Sequence, residues 1–107
     1  MTSNLTMTDE TLSTRDKLNL ETATIEWKAL ELFFAQGKLL VVEPEADLVG
    51  IASLIADNDI SALEVAIENQ QVSFATAAWV KANCQQNTQL WTVVVSPYVV
   101  TQLETRN

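Results

Sequence analysis

With 107 residues and 48% hydrophobic content, the chain is long enough for one domain that buries about two-thirds of its unfolded surface, and general disorder is excluded. Fourteen acids against six bases give a net charge of −8, and between Lys38 and Lys81 seven acids face no base at all. A surface of that sign repels phosphate backbones and anionic lipid, which argues against nucleic-acid and membrane partners.

Residues 1–16 read as a flexible polar tail, and 17–107 as a single globular domain. The tail carries many hydroxyls and few large apolar groups, and it firms into a short helix around residues 9–18 with Ser13 as cap and Asp16 three residues on. Trp27, Leu30 and Phe34 recur at helical spacing, which predicts a helix over 26–36 ended by Gly37. Residues 39–43 are apolar on both alternating faces, the pattern of a strand covered on two sides, and Pro44 stops it. Asp47 is placed to cap a helix over 48–56 whose inward face is Leu48, Ile51, Ala52 and Ile55. Asp59 caps the next, with Ile60, Leu63 and Ile67 along one side. After a connection at 70–72, Ser73 or Thr76 opens a helix running to about residue 86. A second two-sided apolar run at 91–95 follows, then Ser96-Pro97, then a strand-like segment at 98–102. The expected class is α+β: a small sheet of two or three strands (39–43, 91–95, 98–102) packed against about four helices. Two strands alone are marginal, so the sheet needs either 98–102 or a strand from a second copy, and a homodimer is one expectation.

Absences limit the chemistry. Without histidine there is no Ser/His or Cys/His nucleophile and no imidazole metal site. Two glycines cannot write a phosphate loop or a dinucleotide fingerprint. The lone Cys84 makes no internal disulfide and reads as a small buried hydrophobe rather than a reactive thiol. The beginning of the chain lacks a basic and an apolar leader region, and no apolar run is long enough to span a bilayer, so the expected setting is the cytoplasm. No cofactor is expected.

Two acidic constellations were weighed as sites. Asp57, Asp59, Ser61 and Glu68 fall at calcium-loop positions one, three, five and twelve. Ala62 stands where that loop needs glycine, however, and helix capping accounts for both aspartates. Glu43, Glu45 and Asp47 offer paired carboxylates for acid/base work, but strand ending and capping explain them as well. The aromatics Trp91, Tyr98 and Trp27 are the candidate interaction surface, against the reading that large aromatics are usually core.

Leu18-Asn19-Leu20-Glu21-Thr22-Ala23-Thr24-Ile25-Glu26-Trp27, with Leu30 and Phe33-Phe34-Ala35-Gln36-Gly37, makes one distinctive block. Leu90-Trp91-Thr92-Val93-Val94-Val95-Ser96-Pro97-Tyr98-Val99 makes a second, with Val42, Asp47-Leu48-Val49 and Trp79 between them. Over residues 17–103 the chain resembles the bacterial family called domain of unknown function 2288. The resemblance implies a small cytoplasmic bacterial protein with no established activity, and supplies no functional residues.

The leading expectation is therefore a non-enzymatic acidic module that binds another protein or itself. The alternative is a carboxylate- or metal-dependent small enzyme using Glu43, Glu45, Asp47, Asp57 or Asp59. Its mark would be at least two of those carboxylates converging in a cleft.

Overall fold

A computed structural model describes residues 13–104. Ser13 opens helix α1 (Thr14–Glu21), its hydroxyl oxygen accepting from the Asp16 N–H. Strand β1 (Ala23–Glu26) follows, then α2 (Trp27–Ala35), β2 (Leu39–Val42), α3 (Leu48–Ala56) and α4 (Ile60–Glu68). Strand β3 (Val72–Phe74), helix α5 (Ala77–Asn83) and the hairpin of β4 (Gln89–Val95) and β5 (Tyr98–Leu103) complete the described chain. Helix α1 thus begins inside the stretch read as tail, and the part of the expected 9–18 helix before Ser13 lies outside the described residues.

The class is α+β, but the expected sheet of two or three strands with about four helices is too small. Five strands form one mixed sheet in the order β1-β4-β5-β2-β3, with five helices among the described residues. Only β2 and β5 run parallel; the other neighbours are antiparallel. The two strands missed, β1 and β3, are the sheet's edges. Ala-Thr-Ile-Glu and Val-Ser-Phe are short and largely exposed, so neither carries an apolar strand signature. Their conformation comes from pairing with β4 and β2, which is tertiary information. Five strands of one chain thus build the sheet.

Helices cover both faces of the sheet. On one, α1, α3 and α4 bring Leu18, Leu48, Ile51, Ala52 and Ala66 onto Leu40, Val42, Val72, Val93 and Val100. On the other, α2 and α5 bring Trp27, Leu30 and the half-buried Trp79 onto Leu39, Leu90 and Val99. This double cover is why all four residues of β2 are buried and why its sequence shows no alternation. Thr92 and Thr101, directly opposite in the β4–β5 pair, are the buried polar residues among those described. Thr101 donates to the Trp91 carbonyl and Thr92 to the Leu90 carbonyl, and the two hydroxyl oxygens lie 3.1 Å apart. Neither polar group is left unpaired, as burial demands.

Three helices end alike. After α2, Gly37 takes φ 74°, its N–H donating to the Phe34 carbonyl while the Lys38 N–H reaches back to Phe33. Asn58 (φ 58°) closes α3 and Gln70 (φ 62°) closes α4 with the same pair of bonds. Each is a left-handed residue satisfying carbonyls that the last turn leaves open. The chain therefore turns sharply after α3 and again after α4, and those two turns shape the surface described next.

Candidate interaction surface

Helix α4 is anchored at its start by Asp59, whose carboxylate accepts from the Ala62 N–H. It lies on the sheet through Ala66 and Leu63, which leaves Ile60 and Ile67 rising on its outer flank, 55% and 46% exposed. The turn at Gln70 then brings the chain back as β3. Alternation within β3 puts Val72 in the core and Phe74 on the same face but beyond the helical cover, 52% exposed. Phe74 meets Tyr98, the first residue of β5, edge to face with ring centroids 6.2 Å apart.

These residues enclose a groove. Its inner part, about 110 Å³, lies between Leu40, Ile67, Val72 and Phe74; its outer part, about 250 Å³, runs past Asn58, Asp59 and Ile60. Ile55, Leu63 and Tyr98 belong to both. The floor and walls are aliphatic and aromatic. On the α4 side the rim is acidic, with Asp59 in the groove wall and Glu64 and Glu68 exposed on the helix.

The three aromatics singled out from the sequence do not form one surface. Trp27 is 4% exposed and lies in the core of the opposite face, against Phe34 and Trp79. Trp91 is 40% exposed and shares a face with Tyr98, but it stands opposite Gln102 while Tyr98 stands opposite Val95, at the other end of the hairpin. Only Tyr98 belongs to the groove. Phe74, Ile60 and Ile67 were not singled out. The isoleucines read as one side of a helix with no surface assigned to it, and Phe74 lies where a helix is expected to begin.

A family model with the description "Protein of unknown function (DUF2288)" matches residues 13–103. The chain belongs to the DUF2288 family. Among solved structures it is similar to PA1075 from Pseudomonas aeruginosa, determined by NMR in solution, at 35% identity and a TM-score of 0.77. That similarity covers 94% of this chain and 93% of the other. Among curated proteins none matches. The two blocks that carry the DUF2288 resemblance are neighbours in space. The first builds the second half of α1, β1 and α2 through Gly37, the second builds the hairpin, and β1 pairs with β4 residue for residue from Ala23 opposite Thr92 to Glu26 opposite Gln89.

The carboxylates weighed from the sequence are dispersed in function. Asp47 caps α3 by accepting from the Gly50 N–H and holds Arg15 of α1 at 2.6 Å. Burial pushes its carboxyl up, but the Arg15 hydrogen bond, the Gly50 N–H, the guanidinium charge and the Val49 N–H together outweigh this and hold it below its ordinary 3.8. Asp57 accepts from the Thr14 hydroxyl. Helix α4 runs through the segment that a calcium loop would have to occupy. Glu45 is exposed, and Glu43 lines a separate cleft of about 220 Å³ on the opposite face, near Ser73, Trp79 and Leu103. Among the described residues no three His, Cys, Asp or Glu side chains are placed to hold one metal ion, and no helix is long and apolar enough to cross a membrane. Cys84 is half-buried against the second core, and that burial pushes its thiol up.

The loop between β2 and α3 is fixed by Gln102, whose side-chain amide donates to the Glu43 and Ala46 carbonyls at 2.9 and 2.8 Å. One amide group on β5 thereby positions the segment that ends in the Asp47 cap, holding the start of α3 against the sheet.

Proposed function

We propose that this DUF2288 protein is a non-enzymatic protein-interaction module whose docking face is the groove between α4, β3 and Tyr98. The observation that carries the reading is the clustering of Ile60, Ile67 and Phe74, each about half exposed, around one apolar groove. Scattered apolar residues on a surface are ordinary, whereas a contiguous patch around a concavity with a polar rim is the usual form of a protein-docking site. The edge-to-face pair of Phe74 and Tyr98 supplies rigid aromatic area of the kind that anchors interfaces.

Another protein fits this face better than a second copy. The five strands need no sixth from outside, and a copy would bring its own acidic rim against this one. The alternative, a carboxylate-dependent enzyme, has less support, because Asp47, Asp57 and Asp59 are already engaged by Arg15, Thr14 and the start of α4. A bacterial cytoplasmic setting suits both the Pseudomonas neighbour and the single unpaired cysteine.

The test is affinity purification of the tagged chain from its own cells, beside Phe74→Glu and Trp91→Glu variants. A partner captured by the wild type and by Trp91→Glu but lost with Phe74→Glu is the expected result. A partner set indifferent to Phe74→Glu would overturn the proposal.

A further inference from the structure

The groove has an acidic flank as well as an apolar floor, and together these describe its occupant. Along α4, Ile60 and Ile67 stand seven residues apart, two helical turns or about 10 Å. That length matches the spacing of two or three apolar anchors on one face of a short helix. Beside them on α4 lie Glu64 and Glu68, with Asp59 in the groove wall. The α4 side of the groove thus carries acids along its length.

We infer that the groove receives an amphipathic helix of another protein, with an apolar stripe inward and lysines or arginines on the flank that passes over α4. This rests on the reading of the groove as a protein-docking face and names the chemistry of what docks. Apolar anchors entering between Phe74, Tyr98 and Ile67 supply affinity. The exposed acids supply orientation and selection against acidic helices, since ion pairs in solvent add little binding of their own.

The probe is a labelled leucine/lysine amphipathic peptide of about five helical turns, compared with the same peptide carrying glutamate or glutamine for lysine. Binding is read by fluorescence anisotropy in buffer of physiological salt. We expect the lysine peptide to bind at least about ten-fold more tightly than the glutamate peptide. Phe74→Glu and, separately, Ile67→Glu should each weaken it by about ten-fold. Both variants make the protein more acidic, so attraction by charge alone would strengthen in them, and far-UV circular dichroism confirms that they fold. Replacing Glu64 and Glu68 together by glutamine should weaken the lysine peptide several-fold and leave the glutamine peptide unchanged. Lysine-peptide binding that survives Phe74→Glu and Ile67→Glu overturns the inference. Equal binding of all three peptides, lost in Phe74→Glu, overturns the basic-helix assignment while the docking face stands. Failure of every peptide to show Phe74-dependent binding overturns both.

Discussion

Gln70 adopts φ 62° with a side chain that gains nothing visible from it, whereas Gly37 meets the same demand without a Cβ. A left-handed L-residue costs roughly 1–2 kcal/mol, and glycine gives part of that back in unfolded-chain entropy. Gln70→Gly is therefore expected to stabilise the protein by about 0.5–1 kcal/mol, read as a higher urea midpoint at unchanged slope. Asp47 sets the acid limit of the α1–α3 contact. Its folded carboxyl titrates below its ordinary 3.8, so the stabilisation is present above that value and is lost as pH falls through the lower folded one. Asp47→Asn should flatten the fall in urea midpoint between neutral pH and pH about 3; an unchanged slope would show that the Arg15 contact is not formed in solution. Gly50 leaves room for that contact, because a Cβ there would lie 2.9 Å from the Asp47 carboxylate and 3.3 Å from the Arg15 guanidinium. The caps at Ser13, Asp47, Asp59 and Thr76 were readable in the sequence, since capping needs only a short polar side chain and the amides three residues on. The left-handed Asn58 and Gln70 left weaker marks, because what forces them is the direction the chain must take next.

Among the elements, those whose burial is written in their own residues were legible and those defined by partners were not. Both two-sided apolar runs proved to be inner strands, β2 and β4, and 98–102 proved to be β5. Edge strands β1 and β3 were invisible because one neighbour apiece, supplied from far along the chain, makes them strands. Helix α4 shows a subtler limit. Its apolar stripe is legible, but the stripe is wider than the surface it covers, and the surplus, Ile60 and Ile67, lines the groove. Tyr98 was legible as a candidate from its type and position; Phe74 was not, since only the register Leu40 opposite Phe74 brings it alongside Tyr98. The Thr92–Thr101 pair invites a test at this scale. Either single change to valine leaves the remaining hydroxyl a backbone carbonyl, so each should cost no more than about 1 kcal/mol. The double change should cost less than the sum of the two in a urea double-mutant cycle, because the contact between the hydroxyls, broken by either single change, is lost only once.

For the whole molecule, the sheet with helices on both faces separates residues that hold the fold from residues available to bind. Leu90 is fully buried beneath α2 and α5, and Leu90→Ala is expected to destabilise by about 2–5 kcal/mol. Phe74→Ala, at a half-exposed edge, should cost about 1 kcal/mol or less while removing the groove's aromatic wall. Thermal unfolding of the two variants measures that contrast; equal losses would place Phe74 in the core and remove it as a docking residue.

Strand β5 is the last described strand in sequence and the central one of the sheet in space. It alone joins β4 to β2, so before it is made the sheet exists as two unconnected pairs, β1 with β4 and β2 with β3. A growing chain therefore cannot close this sheet until β5 has been made: β2 waits for a parallel partner some 60 residues downstream. Closure waits for β5, and until that strand is in place two rows of unsatisfied backbone amides stand open to neighbours. A chain truncated before Tyr98 should accordingly be protease-sensitive throughout, and extending it through Leu103 should switch it to resistance.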